Sequence, residues 1–274
     1  MHHFLDLAGR VLAVWLVSLG INLVVYFVVT SLIVYSLRLF WDKGLQRRKI
    51  QKRQATRADI RREIASSLRT ALIFSVIYTA VYFGARANLF TIYLGIQPLG
   101  GVYLLASIGA IILAHETYFY WFHRLMHHRL LFVWFHRTHH KSITPTVYAC
   151  FALDVPEALL IGFFLPLWLL AVPMQLLALS IALTFLLARN ALGHCGVELF
   201  SDGPGRKPGF GWLSSNTDHD LHHSTFHYNY GFCLNVWDRL MGTEHPSCRT
   251  PRQASPQPGA IEEGLPMPST ESSR

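Results

Sequence analysis

Histidines at a regular spacing are the residues of this chain that could do chemistry. Six of the fifteen histidines fall between residues 123 and 140. The histidines form three groups, which are His123 and His127, then His136, His139 and His140, and finally His219, His222 and His223. Residues four apart project from the same face of a helix. Each group can therefore direct two or three imidazoles at one point, and the three groups together predict a metal site. Because residues 130–135 are apolar, we expect the ligands of the second group at the edge of an apolar helix.

The number of imidazoles indicates more than one metal ion. These eight histidines, with His194 as a ninth, exceed the four-ligand shell of a structural zinc and suit two metal ions that draw on separate helices. Nitrogen-rich coordination accommodates iron, zinc or copper, so the spacing does not choose the metal. The Glu-x-x-His pairs of a ferritin-like site are missing from the sequence. Carboxylates near the groups are therefore expected mainly to orient imidazoles; they are Glu116, Asp154, Glu157, Glu198, Asp218 and Asp220.

Composition indicates a membrane protein that does not bind nucleic acid. The 274 residues have a mean hydropathy of +0.29 and are 51% hydrophobic, which is high for a soluble protein. The net charge is +8, but much of it lies in residues 38–69, where no interleaved aromatic residues offer a surface for base stacking. The four cysteines form no CxxC pair and give no indication of the redox compartment.

Uncharged segments supply the helices that must position the histidines. Residues 11–35 are uncharged and long enough to cross a bilayer, which takes about 20 residues. Residues 70–85 form a second, shorter span, and a third helix is expected from about Gly101 to the first histidine group. Residues 155–189, interrupted by prolines, predict a tight hairpin. The expected fold is an all-α integral membrane bundle of about four transmembrane helices, the last two a tight hairpin, with a cytoplasmic histidine-rich helical cap.

The basic segment orients this bundle. Positively charged loops face the cytoplasm, so residues 38–69 are predicted to be a cytoplasmic surface segment. Counting spans from there brings all the histidine groups to the cytoplasmic face. We divide the chain into N-terminal membrane helices (1–98), a histidine-box catalytic domain (99–248) and a disordered, Pro- and Ser-rich tail (249–274).

The histidine groups and the residues after them resemble a known family. The spacings His-x3-His, His-x2-His-His and His-x2-His-His resemble the three histidine boxes of the fatty acid hydroxylase / sterol desaturase superfamily, which are integral membrane di-iron oxygenases. The run that ends the resemblance is His219-Asp220-Leu221-His222-His223, then Asn229-Tyr230-Gly231, Trp237-Asp238-Arg239 and Gly242-Thr243. The resemblance covers residues 114–243.

Two positions depart from the family pattern. Members often have His-x3-His before the last box, and here Asn190-x3-His194 stands in its place. We expect His194 to be a ligand and Asn190 to act directly or through a water. The His-Pro-x-Glu element after the second box is replaced by Asp154-Val155-Pro156-Glu157, which leaves Asp154 without an expected role. Besides Asn190, residues expected around the ligands are Asp220, Glu157 and Asn229, whereas His115 is not counted as a ligand.

The resemblance implies an oxidoreductase that binds two iron ions and uses O2 to hydroxylate or desaturate an unactivated C–H bond of a lipid. Sterol, fatty-acyl, sphingolipid, ether-lipid and carotenoid substrates all remain open. The chain has no cofactor motif for electron supply, so a separate donor is expected, ferredoxin-like or cytochrome b5-like with a reductase. A bacterial inner membrane is favoured over the endoplasmic reticulum, and zinc is expected to occupy histidine sites on overexpression.

Two other functions are weighed against this interpretation. A zinc-dependent membrane hydrolase needs a carboxylate base, as in HExxH, and the sequence has no such motif. A metal transporter needs ligands along a path near the middle of the bilayer, whereas the span count brings these histidines to one face.

Overall fold

The computed structural model of the chain describes residues 2–51, 53–95, 100–199 and 212–249. These residues are mostly helical, which confirms the predicted fold class. The helices are α1 (His2–Leu39), α2 (Lys43–Arg47), α3 (Arg57–Arg86), α4 (Gly100–Met126), α5 (Phe132–Phe135), α6 (Arg137–His140), α7 (Val155–Ala171), α8 (Leu176–Gly193), α9 (Asn216–Thr225), α10 (Val236–Leu240) and α11 (Pro246–Arg249). A 3-10 helix (Val147–Phe151) and the two-residue strands β1 (Ile92–Tyr93) and β2 (Met174–Gln175) lie between them. The predicted tail lies outside the described residues from residue 250 onward.

Four helices are long and apolar enough to cross a membrane, which indicates an integral membrane protein. They are α1, α3, α4 and α8, and α7 is a shorter apolar helix of 17 residues. Large apolar side chains are exposed on these helices, as Val102 (82% exposed) and Leu105 (70%) are on α4. In a bilayer such a surface would face lipid. The predicted number of about four spanning helices is confirmed.

Helices α7 and α8 form the predicted hairpin, and its turn is tied to the segment before α4. β2 pairs in parallel with β1, with Ile92 opposite Met174. The Tyr103 hydroxyl donates a hydrogen bond of 2.8 Å to the Pro173 carbonyl. Since the turn and the start of α4 are fastened together, the opposite ends of α4 and α8, which lead into the histidines, are held side by side.

The basic segment 38–69 differs from the expected surface segment. Helix α3 begins at Arg57, so residues 57–69 form the first turns of a membrane-length helix. A capping box explains this start. The Thr56 hydroxyl accepts from the Asp59 amide at 3.1 Å, and the Asp59 carboxylate accepts from the Thr56 amide at 3.0 Å. Hydropathy alone could not locate this start because the first turns of α3 are charged.

Helices α3 and α7 approach closely at Gly162. A Cβ atom on this residue would lie 2.4 Å from Ile77 Cδ1 and 3.2 Å from the Phe74 ring. Glycine is therefore required for this separation of the two helices. The contact completes one wall of the helix bundle.

The chain after α8 folds over the ends of the long helices and is fastened by buried carboxylates. Glu116 of α4 accepts backbone hydrogen bonds from Phe232 at 2.8 Å and Cys233 at 2.7 Å. Asp238 of α10 accepts from the amides of Tyr230 at 2.8 Å and Gly231 at 2.7 Å. These contacts fix the loop between α9 and α10 against α4, beside the first histidine box.

Candidate metal centre

The helix ends deliver nine histidines to one region. His123 lies in the last turn of α4 and His127 just beyond it, His194 directly follows α8, and α9 contributes its three histidines. The second box is not on one continuous helix, as the sequence predicted. Helix α5 ends at Phe135, and the backbone breaks at His136, where φ is −139°. Glu157 of α7 hydrogen-bonds to the His136 ring at this break, so tertiary contact replaces the helical register.

The nine rings form two groups. The first histidine group comprises His123, His127, His136, His140 and His222, and the second comprises His139, His194, His219 and His223. Within each group the candidate ligand atoms all lie within 4.8 Å of one another. The groups adjoin, since the ring centroids of His140 and His223 are 4.7 Å apart. Each group draws on at least two of the three boxes, so neither can form without the fold.

Hydrogen bonds on the outer side fix four of the rings. Each of these rings directs Nδ1 at an acceptor: His123 at the Tyr230 carbonyl (2.8 Å), His136 at Glu157 Oε1 (2.7 Å), His194 at the Asn190 carbonyl (2.8 Å) and His222 at the Tyr228 carbonyl (2.7 Å). A neutral imidazole that donates from Nδ1 has a bare lone pair on Nε2. In all four rings Nε2 is therefore the atom available to a metal ion.

The first histidine group needs a positive charge between its lone pairs. The Nε2 atoms of His123 and His136 are 2.9 Å apart, and both rings donate from Nδ1. Two bare lone pairs at this distance repel, so a proton or a metal ion must lie between them. Burial, with neighbouring histidines adding to it, holds the pKa of His136 well below its ordinary value of 6.5. A proton is thus disfavoured, and a metal ion fits.

The second histidine group shows the same arrangement. His219 Nε2 lies 3.0 Å from His194 Nε2 and 3.1 Å from His223 Nε2. Burial lowers the pKa of His194 to about 4, so its ring is neutral at physiological pH. In the first group, burial likewise lowers the pKa of His222 to about 4, and its Nε2 is buried without a hydrogen-bond partner. The residues of the two groups therefore fit two metal ions with nitrogen ligands.

The four residues expected around the ligands have different surroundings. Glu157 contacts His136 directly, as described. Asn190 reaches His194 through its backbone carbonyl, while its side-chain amide donates to the Cys150 carbonyl at 2.6 Å. The Asp220 carboxylate accepts from Gln51, and the Asn229 side chain lies between the Asp218 carbonyl and the His245 amide. Within the described part of the chain, neither Asp220 nor Asn229 hydrogen-bonds to a histidine of either group.

Sequence reasoning missed the carbonyl groups of Tyr228 and Tyr230, which orient His222 and His123. Two residues with positive φ, Phe226 (65°) and Asn229 (57°), shape the turn that presents these carbonyls. A backbone acceptor has no signal in residue type. The nearest indication in the sequence was the Asn-Tyr-Gly run, noted only as part of a resemblance.

A cavity of about 100 Å³ lies between the long helices and reaches both groups. Its lining residues are largely apolar and come from α3, the 3-10 helix, α4, α7, α8 and the loop after α9. Phe119 lines it and lies 4.9 Å, centroid to centroid, from the His123 ring. Asn190 lines it and bonds to His194. His115 also lines it and belongs to neither histidine group.

Comparison with known proteins agrees with this geometry. Residues 108–243 match the family model described as Fatty acid hydroxylase. Among curated proteins, a Delta(7)-sterol 5(6)-desaturase of Aspergillus fumigatus is 26% identical over 87% of this chain, and the lathosterol oxidase of Mus musculus is 24% identical over 56%. Protein CER1-like 2 of Arabidopsis thaliana is 31% identical over 47% of the chain. The chain spans 67%, 50% and 22% of the lengths of these three relatives, respectively. No solved structure matches the chain.

Proposed function

This chain belongs to the fatty acid hydroxylase family of membrane histidine-box oxidoreductases, and from that membership we propose that it is a di-iron oxygenase that hydroxylates or desaturates a lipid. The observation that supports this best is the pair of adjoining, buried groups of neutral imidazoles whose lone pairs converge. Hydrogen-bonded orientation of each ring from outside is typical of metal-binding histidines.

The residues of the chain prepare the site and exclude water. When bound, two iron ions would supply reductive activation of O2 and abstraction of hydrogen from the lipid. Hydroxylation puts one oxygen atom into the C–H bond and releases the other as water, so an external donor must provide two electrons and two protons. His123 and His136 would hold one ion, and His194 and His219 the other. Because these rings are buried or nearly so, the reaction is kept from bulk water.

The cavity supports a lipid substrate. Its lining is mostly apolar, and its walls contact a histidine of each group through Phe119 and Asn190. A chain bound there would present a C–H bond toward the metals. The printed names of two relatives refer to sterols, so we put a sterol first among the lipids to be tested.

We further propose that a separate donor, ferredoxin-like or cytochrome b5-like with a reductase, delivers electrons on the cytoplasmic face. Exposed Arg47, Arg48 and Lys49 offer a surface for an acidic partner. Two backbone contacts support this site: the Ile50 amide donates to the Gly196 carbonyl at 3.0 Å, and Lys49 forms a β-bridge with Val197. The basic residues thus adjoin the segment that follows His194. In this proposal residues 99–248 are the catalytic domain and residues 1–98 the anchor.

Metal analysis of the purified protein tests the proposal. We expect about two irons per chain after anaerobic iron loading, and reduced iron in His139→Ala and His222→Ala, which each remove one ligand from one group. His128→Ala is the matched control, because His128 is exposed and lies beside His127 without belonging to either group. Lipid products should then form under air and require an electron donor.

One zinc per chain, with no iron uptake after anaerobic loading, would overturn the di-iron oxygenase and favour a zinc-dependent hydrolase. Zinc in protein purified from overexpressing cells would not decide the question, because histidine sites scavenge it. Activity after iron reconstitution decides in that case, and oxygen-independent turnover would reject the proposal.

A further inference from the structure

His115 is a buried histidine within a membrane-length helix that the metal groups do not use. Its side chain is enclosed by three aromatic rings, with centroids at 5.1 Å (Phe164), 5.4 Å (Phe232) and 5.9 Å (Phe119), and the residue is 7% exposed. Neither ring nitrogen has a hydrogen-bond partner among the residues that the structure describes, and Nδ1 is fully enclosed. Polar groups in hydrocarbon surroundings are costly without a partner, and an ionisable residue inside a membrane span indicates function.

Two further polar side chains line the same cavity. Tyr78 projects from α3 and Asn190 from α8, whereas His115 comes from α4. The Asn190 amide donates to the Cys150 carbonyl, but within the described ranges its Oδ1 atom has no donor, and the Tyr78 hydroxyl has no partner. Apart from these three and the Cys150 thiol, the lining is apolar. An apolar cavity with a few convergent polar groups is the usual form of a ligand site.

The size of the cavity limits what enters it. A volume of about 100 Å³ equals the space of about three water molecules in the liquid. It would therefore take one end of a lipid rather than a whole lipid molecule. Along the helices, Asn190 is four residues from His194 and His115 eight from His123, which correspond to about 6 and 12 Å at 1.5 Å per residue. A polar group bound here would lie on the membrane side of the histidine groups, removed from the reacting carbon.

We propose that Tyr78, His115 and Asn190 bind a hydroxyl group of the lipid substrate, so that the enzyme selects a lipid alcohol over the corresponding hydrocarbon. A hydroxyl both donates and accepts, and it would satisfy a ring nitrogen of His115 and the Oδ1 atom of Asn190 together. The substrate is then held by its polar end while a distant C–H bond lies at the metals. This inference rests on the proposed function, because it assigns the cavity to the substrate of that site.

Lipid retention tests the inference without turnover. The full chain is reconstituted in phosphatidylcholine nanodiscs containing hexadecanol or hexadecane, and in a second series cholestanol or cholestane. After transfer to detergent and purification, mass spectrometry measures each probe retained per protein, and iron is measured on the same samples. We expect the wild type to retain the alcohol of at least one pair about tenfold more than its hydrocarbon, as for a lost hydrogen bond to a buried group.

Variants separate recognition from folding. His115→Phe and Asn190→Leu should each reduce the preference for the alcohol and leave retention of the hydrocarbon unchanged. His115→Gln, which keeps a donor and an acceptor, should preserve most of the preference, a rescue that a purely structural role would not give. Leu183→Met changes an apolar lining residue with little change in volume, so it should behave as wild type.

Equal retention of alcohol and hydrocarbon in both pairs would overturn the inference and leave trapped water as the partner of these groups. An undiminished preference in both His115→Phe and Asn190→Leu would overturn it as well. The iron measurement reports separately on the proposed function. Selective alcohol binding by a chain that takes up no iron would reject the oxygenase and retain the lipid site.

Discussion

Glu157 shows how one carboxylate can prepare a metal ligand. It is 1% exposed, its Oε1 lies 2.7 Å from His136 Nδ1, and its Oε2 accepts from the Asp154 amide at 3.3 Å. The carboxylate therefore holds His136 in the tautomer that leaves Nε2 bare. We predict that Glu157→Gln lowers iron affinity about 10- to 100-fold, the usual effect of removing an outer partner of a ligand. Competition with a calibrated chelator measures this.

Asp220→Asn is the matched control for Glu157→Gln. Asp220 is part of the third box, but its carboxylate bonds to Gln51 rather than to a histidine. We expect the control to keep wild-type iron affinity. If both variants lose iron equally, the carboxylates act on general stability, and the specific role of Glu157 is rejected.

At this scale the sequence predicted what residue type can show. The spacing of the imidazoles was enough to select nine histidines, and the structure brings all nine into two groups. Proximity to the second box was enough to propose Glu157. It could not distinguish Glu157 from Asp220, because which carboxylate faces an imidazole depends on how α7 packs. Nor could it find the Tyr228 and Tyr230 carbonyls, since every residue has a carbonyl.

Among the elements, the contact of α3 with α7 is the one that a single side chain would disturb most directly. Gly162 leaves room for Ile77, whose Cδ1 would lie 2.4 Å from an added Cβ. We predict that Gly162→Ala lowers stability by about 1–3 kcal/mol, the typical effect of overpacking. Because Ile77→Val removes the clashing atom, the double variant should recover much of the loss, although Ile77→Val alone costs about 0.5–1.5 kcal/mol.

A double-mutant cycle on the purified protein in detergent measures this coupling. Loss of helical signal on heating reports stability, and iron content reports the site. Additive effects of the two substitutions would contradict close packing of α3 on α7 at this point.

The elements were predictable where hydropathy marks them and not where polar contacts decide. Uncharged runs identified the spanning helices and the hairpin. The start of α3 was placed at residue 70 instead of Arg57, because the Thr56–Asp59 capping box lies in charged sequence. The break at His136 was missed for a related reason: the spacing of the second box fits a continuous helix, and only the partner on α7 shows otherwise.

Across the whole molecule, charge and site lie close together. The net charge is +8, and the basic residues after α1 adjoin the chain that follows His194, through the Ile50–Gly196 hydrogen bond of 3.0 Å. In addition, Arg48 donates to the Leu199 carbonyl at 3.4 Å. The path from this surface to the second histidine group is therefore short. An acidic electron donor that docks here would be attracted from a distance and would bind beside a candidate metal.

We predict that reversing the charge of Arg47, Arg48 and Lys49 to Glu slows electron delivery by about tenfold or more at low salt, because charge complementarity raises association rates by about 10- to 1,000-fold. Stopped-flow mixing with a reduced acidic donor measures the rate, and iron content should remain at the wild-type level. The difference should shrink as salt screens the charges. Charge reversal at Arg10 and Arg86, at the far ends of α1 and α3, is the control and should leave the rate unchanged. An unchanged rate in the triple variant, or a loss that salt does not reduce, would place the donor elsewhere on the molecule.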